Sequence, residues 1–66
     1  MKVVVNGDPA ELAPGTTLGR VVDGLGRGRR GVAAAVNAEV VPAGHWDVTV
    51  LAADDEVEIL TVAQGG

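Results

Sequence analysis

The chain has 66 residues, a formal net charge of −4 and no cysteine. A chain of this length forms one small domain that buries only about 60% of its unfolded surface, which excludes a deep active site lined by this protein alone. The missing cysteines exclude disulfides, thiolate metal sites, thioester-forming side chains and redox pairs, and the negative charge disfavours nucleic acid or an anionic membrane as the main partner.

Hydrophobic residues make up 47% of the chain, mostly Val and Ala, which fits a packed globule and not a disordered tail. The apolar run at residues 3–5 is far too short for a signal-peptide core or a membrane span, so the cytoplasm is the expected location. A protein partner with a basic face suits the overall charge.

Residues 1–5 form a short β-branched run, and Asn6-Gly7 directly after it is a hairpin signal because both residues tolerate positive φ. The return strand is expected at residues 10–13. Pro9 stands at its start, a position that suits an edge strand with one donor missing. Pro14-Gly15 breaks that strand. Thr17 is placed to cap a helix in which Leu18, Val21, Val22 and Leu25 follow at the spacing of one apolar stripe. Gly19 and Gly24 inside it each cost about 1 kcal/mol relative to Ala, so docking on a sheet must supply most of the helix's stability. Gly26 ends it.

Residues 26–31 alternate glycine with Arg27, Arg29 and Arg30 and read as a mobile, solvated surface loop, or as a contact for an acidic partner. Residues 32–36 are continuously apolar, as a central strand buried on both faces would be. A turn at residues 37–39 precedes a short strand at Val40-Val41, which Pro42 closes. Residues 43–46 read as a loop or a single helical turn, residues 48–51 as another brief extended piece, and Asp54-Asp55 as a turn before a last strand at residues 56–62. The order β-β-α-β-β-β describes a helix packed across one face of a mixed sheet. The expected organisation is one domain over residues 1–62 followed by a flexible tail, residues 63–66, ending in Gly-Gly.

That tail can do chemistry. A carboxylate on glycine, without a Cβ behind it, can enter a narrow enzyme channel and let backbone donors and a nucleotide phosphate approach closely. Adenylation by ATP would turn the inert carboxylate into an acyl group with a good leaving group, and persulfide attack would then leave a thiocarboxylate. With no thiol of its own, the chain could handle sulfur only through this carboxyl. On its own the Gly65-Gly66 pair fits a frayed end of a chain that has 10 glycines somewhat better than a reactive one.

Its setting carries more information. Residues 32–42 read VAAAVNAEVVP, Trp46 follows, and residues 56–66 read EVEILTVAQGG. A strand ending in Val-Asn, a spaced Val-Pro, a Trp a few residues on and a terminal Gly-Gly, in that order, resemble the ThiS family of thiamine-biosynthesis sulfur carriers. The likeness extends to the opening Lys-Val-Val-Val-Asn-Gly and to the Pro14 to Leu18 helix entry. Two positions depart from the family pattern: Ala43 stands where Arg is common, and Asp54 where glycine is usual.

The resemblance implies an α+β, ubiquitin-like β-grasp fold, a mixed sheet of about five short strands crossed by one helix. It implies a carrier and not an enzyme. Its Gly66 carboxylate would be adenylated by a ubiquitin-activating-type adenylyltransferase (ThiF-like) using ATP and magnesium. The adenylate would be converted to a thiocarboxylate with sulfur from a donor such as a cysteine desulfurase, and the sulfur delivered to a thiazole synthase (ThiG-like). Gly66 is then the modified residue, and Gly65, Gln64 and Ala63 the tail that enters the partner's site.

Side chains alternate along the last strand, so Val57, Ile59 and Thr61 share one face, and Glu58, Leu60 and Val62 the other. If the first set packs on the helix, Leu60 and Val62 lie outward beside the tail, flanked by Glu58, as a docking surface. The bland alternative is a strand covered on both sides. One histidine without cysteines or a clustered donor set makes no metal site, and Trp46 reads as a packing anchor. Asp54, Asp55, Glu56 and Glu58 lack calcium-loop spacing and read as a solvated acidic turn that could meet a basic surface on the activating enzyme. Two alternatives to the thiamine carrier stay open: a carrier for molybdopterin or another thio-metabolite, and a non-covalent β-grasp interaction module of TGS type.

Overall fold

The computed structural model describes residues 1–61. Asn6 and Gly7, with φ of 50° and 85°, turn the chain so tightly that Val5 pairs directly with Asp8. Positive φ at both positions is what a type I′ hairpin turn requires. The turn joins β1 (Lys2–Val5) to β2 (Asp8–Glu11). The return strand therefore begins earlier than the expected residues 10–13, because this turn leaves no slack between the strands. A second turn of the same kind, at Asn37 and Ala38 with φ of 51° and 68°, joins β3 (Val32–Val36) to β4 (Glu39–Val41).

The helix α1 (Leu18–Gly24) starts at Thr17, whose Oγ1 accepts the Arg20 N–H at 3.2 Å. It ends where Gly26, at φ 72°, donates its N–H to the Asp23 carbonyl at 3.1 Å. At 7 residues it is too short to stand alone, and it buries Leu18 and Val22 against the sheet. Leu25, the last member of the apolar stripe, is already outside the helix and 40% exposed.

β5 (Glu56–Thr61) is inserted between β1 and β3, giving the order β2-β1-β5-β3-β4. It runs parallel to β1 and antiparallel to β3. β5 is thus the middle strand. β3 is an inner strand as well, but only its Ala34 is fully buried: Val32 and Val36 on the same face pack partly against the core, and Ala33 and Ala35 are half-buried on the face opposite the helix, which nothing in the described residues covers. The expectation of a strand buried on both faces fails there. Pro9 sits in β2 at the sheet edge, opposite Val4, where its missing donor breaks no ladder bond.

The core consists of Leu18, Val22, Ala34, Trp46, Leu51, Val57 and Ile59, and Val3 of β1 is also fully buried. Trp46 belongs to a 3₁₀ helix, Ala43–Val48, and its indole N–H donates to the Val41 carbonyl at 2.8 Å. Anchoring the ring so near the end of β4 coils the chain through Val48. As a result the expected extended piece at residues 48–51 shrinks to an isolated bridge between Val50 and Thr17.

Candidate functional site

β5 is the element that leads to the proposed reactive end, and two asparagines hold it in place from either side. From the β1 side, Asn6 Oδ1 accepts the Ile59 N–H at 2.8 Å and its Nδ2 donates to the Ile59 carbonyl at 3.2 Å. The Asn6 backbone N–H still donates to the Val57 carbonyl at 2.9 Å, and its side chain carries the pairing on to Ile59. From the β3 side, Asn37 Oδ1 accepts the Glu56 N–H at 2.9 Å, and the Asn37 N–H donates to the Glu56 carbonyl at 2.7 Å. Asn37 Nδ2 also donates to Asp55 Oδ1 at 3.0 Å, while Asp55 Oδ2 accepts the Ala52 N–H at 2.8 Å. Asn6 and Asn37 read in the sequence only as turn formers. Their second task depends on contacts distant in the chain and left no local signal.

Alternation along β5 is as expected: Val57 and Ile59 are buried toward the helix, and Glu56, Glu58 and Leu60 point out. Leu60 is 64% exposed and sits opposite Ala33; Glu58 sits opposite Ala35, whose partner on β4 is Val40, 77% exposed. The small alanines of β3 keep this outer face flat, so Leu60 and Val40 stand clear of it with acid beside them. Val62, Ala63, Gln64, Gly65 and Gly66 lie outside the described residues.

Asp54 has φ of 70° and donates its N–H to the Lys2 carbonyl at 2.7 Å. A glycine would adopt this left-handed conformation without steric cost, and aspartate is among the side chains that tolerate it. Asp54 and Asp55 are therefore turn-building residues. Ala43, at the start of the 3₁₀ helix, is exposed.

The arginine loop differs from the solvated stretch expected of it. Arg29 donates to Asp23 at 2.8 and 3.0 Å and to Asp47 at 2.7 and 3.0 Å. Its guanidinium carbon also lies 5.8 Å from the centroid of the Trp46 ring. The hydrogen bonds from Arg29 hold the Asp23 and Asp47 carboxyls below the usual carboxylate range and hold the guanidinium above its ordinary value. A Cβ at Gly19 would collide with the Asp47 carboxylate and the Arg29 guanidinium, so the helix glycine makes room for this clamp. The clamp ties α1, the loop and the 3₁₀ helix together.

Among the described residues no cluster of three or more His, Asp or Glu side chains could hold a metal ion, and no helix is long and apolar enough to cross a membrane. His45 is exposed on the 3₁₀ helix.

Among the described residues, one α-helix across a five-stranded mixed sheet, with β5 in the middle and parallel to β1, defines a ubiquitin-like β-grasp protein. A crystal structure of the thiamine biosynthesis protein ThiS from Geobacter metallireducens superposes with a TM-score of 0.82 at 28% identity, covering 100% of both chains. A solution structure of a thiamine biosynthesis protein from the same organism gives 0.77 at 27% identity, over 100% of this chain and 88% of that one. The ThiS family profile matches residues 3–66, and the chain belongs to that family. A thiazole synthase of Magnetococcus marinus is 38% identical over 66 residues. The match takes in 100% of this chain but 20% of that protein, so the chain spans about a fifth of the length of the curated relative it matches.

Proposed function

We propose that the chain is a cytoplasmic sulfur carrier, a protein cosubstrate and not an enzyme, that supplies the sulfur of the thiazole ring of thiamine. An activating adenylyltransferase of ubiquitin-activating type binds ATP and magnesium in its own site. There the Gly66 carboxylate oxygen attacks the α-phosphorus, and pyrophosphate leaves. A persulfide from a donor such as a cysteine desulfurase attacks the Gly66 carbonyl carbon and displaces AMP. A thiol then cleaves the sulfur–sulfur bond, leaving the thiocarboxylate on Gly66 and a disulfide on the donor side. A thiazole synthase takes the sulfur.

In this reading Gly65 admits the carboxyl to a narrow channel because it has no Cβ, and Gln64 and Ala63 follow it in. Leu60, Val62 and Glu58 meet the partner beside the channel mouth: a small apolar contact ringed by charge has the anatomy of an interface centre and rim. The observation that carries the reading is the family match, which runs through Gly66. The likeness to a thiazole synthase favours thiazole formation as the sulfur's destination over another thio-metabolite.

Pyrophosphate exchange tests the first step. The full chain, mixed with the cognate activating enzyme and ATP, is expected to stimulate exchange, and a chain lacking Gly66 is expected to give none while unfolding at the same temperature. Equal exchange from the truncated chain would remove Gly66 from the proposed role.

A further inference from the structure

Arg27, Arg29 and Arg30 share one loop, but the structure divides them. Arg29 is taken up by Asp23 and Asp47. Arg27 reaches the other way, its Nη1 donating to the Thr61 hydroxyl at 3.4 Å, and Thr61 ends β5. Arg30 stands just before Val32, the β3 residue paired with Thr61. Both are exposed, and among the described residues neither has a carboxylate at ion-pair distance.

Asp23 and Asp47 lie beside this loop, paired with Arg29, while four other acidic groups collect at the far end of β5. Asp54, Asp55 and Glu56 lie at the start of β5, and Glu39 sits opposite Val36, whose partner Val57 is near that start. A strand of 6 residues separates the two groups by about 17 Å. On a chain of net charge −4, Arg27 thus touches the end of β5 and Arg30 lies two residues before the strand position paired with that end, neither with a carboxylate at ion-pair distance among the described residues.

We infer that Arg27 and Arg30 form a docking contact for an acidic rim around the channel of the activating enzyme. The inference rests on the sulfur-carrier reading. The alternative target for two such arginines is the phosphate of ATP, and chain length argues against it. Residues 62–66, drawn out in a narrow channel, place the Gly66 carboxyl about 17 Å beyond Thr61, farther than an arginine rooted beside Thr61 can reach. The groups that these side chains can meet are at the mouth, and protein carboxylates match the guanidinium fork there. Charge at such a rim acts on encounter and register more than on the chemical step.

The test is pyrophosphate exchange with the activating enzyme, comparing wild type with the double variant Arg27→Glu/Arg30→Glu. The expected result is a KM for the carrier raised by about tenfold at low salt, with kcat and the KM for ATP unchanged. Arg27→Lys/Arg30→Lys should retain most of the affinity, and the wild-type KM should climb with salt more steeply than that of the charge-reversed protein. Should the reversed protein unfold early, Arg27→Gln/Arg30→Gln makes the same comparison and should raise the KM by a smaller factor. An unchanged carrier KM in an activated wild-type system would overturn this inference alone, and so would a raised KM for ATP, which would indicate phosphate contact. A wild-type chain that is not activated at all would overturn the carrier reading and this inference with it.

Discussion

The Asn6 side chain satisfies both backbone groups of Ile59, 53 residues away, accepting its N–H at 2.8 Å and donating to its carbonyl at 3.2 Å. The first hairpin turn and the middle strand are thereby one unit, and the strand that leads to the tail is fixed at the level of Ile59. Replacing Asn6 with Gly keeps the positive φ but removes both bonds and leaves two partly buried groups without partners. The expected cost is about 1–3 kcal/mol, read from urea unfolding with an unchanged slope. Amide exchange should accelerate at Ile59 before it does elsewhere in β5.

The second hairpin turn contains a residue that dislikes its conformation. Ala38 sits at φ 68°, where a Cβ crowds the following carbonyl, and a glycine would not. Ala38→Gly should stabilise the chain by about 1 kcal/mol, a rise in Tm of several degrees for a domain of this size. Asp54→Gly, at φ 70°, should shift Tm in the same direction by less, because aspartate tolerates the left-handed region better than alanine does.

Acid should loosen the Arg29 clamp. Asp23 and Asp47 titrate lower in the folded chain than in the unfolded one, because Arg29 hydrogen-bonds their charged forms. Their contribution is therefore fully present above the unfolded carboxylate value, about 3.9, and is lost as pH falls through the lower folded values. Thermal melts below about pH 4 should show a steeper loss of Tm for wild type than for Arg29→Gln, which has no clamp to lose. The groups are exposed, so added salt should narrow the difference. Gly19→Ala should reproduce the flatter acid profile, since the new methyl displaces the same two side chains.

On the proposed reading, Leu60 serves docking and not folding. Because its side chain is 64% exposed on the open face, Leu60→Ser should change stability by no more than about 0.5 kcal/mol. The same substitution should weaken binding to the activating enzyme at least several-fold by calorimetry. Ile59→Ala, on the buried side of the same strand, should instead destabilise the fold by about 2–4 kcal/mol.

Local features were legible in the sequence and distant ones were not. Asn6-Gly7 announced its hairpin, Thr17 and Gly26 bracketed the helix, and the alternation of residues 56–61 divided β5 into two faces, leaving to the structure which of them meets the core; each depends on neighbours a few positions apart. The continuous apolar run at residues 32–36 suggested a doubly buried strand. Alanines, though, are small enough to sit on an open face at little cost, and Ala33 and Ala35 do so. The Arg29 clamp and the asparagine pins of β5 needed the fold itself, because their partners are up to 53 residues apart. The resemblance to ThiS carriers was legible from end to end, and with it the place of Gly66 as the proposed reacting residue.

The most direct measurement is intact-mass spectrometry of the chain after incubation with ATP, magnesium, the activating enzyme and a persulfide donor, followed by fragmentation. The predicted result is exchange of one oxygen for sulfur, located on the fragment that ends in Gly66 and absent when ATP is withheld. An unshifted mass beside an active control carrier, or sulfur found on any other residue, would contradict it.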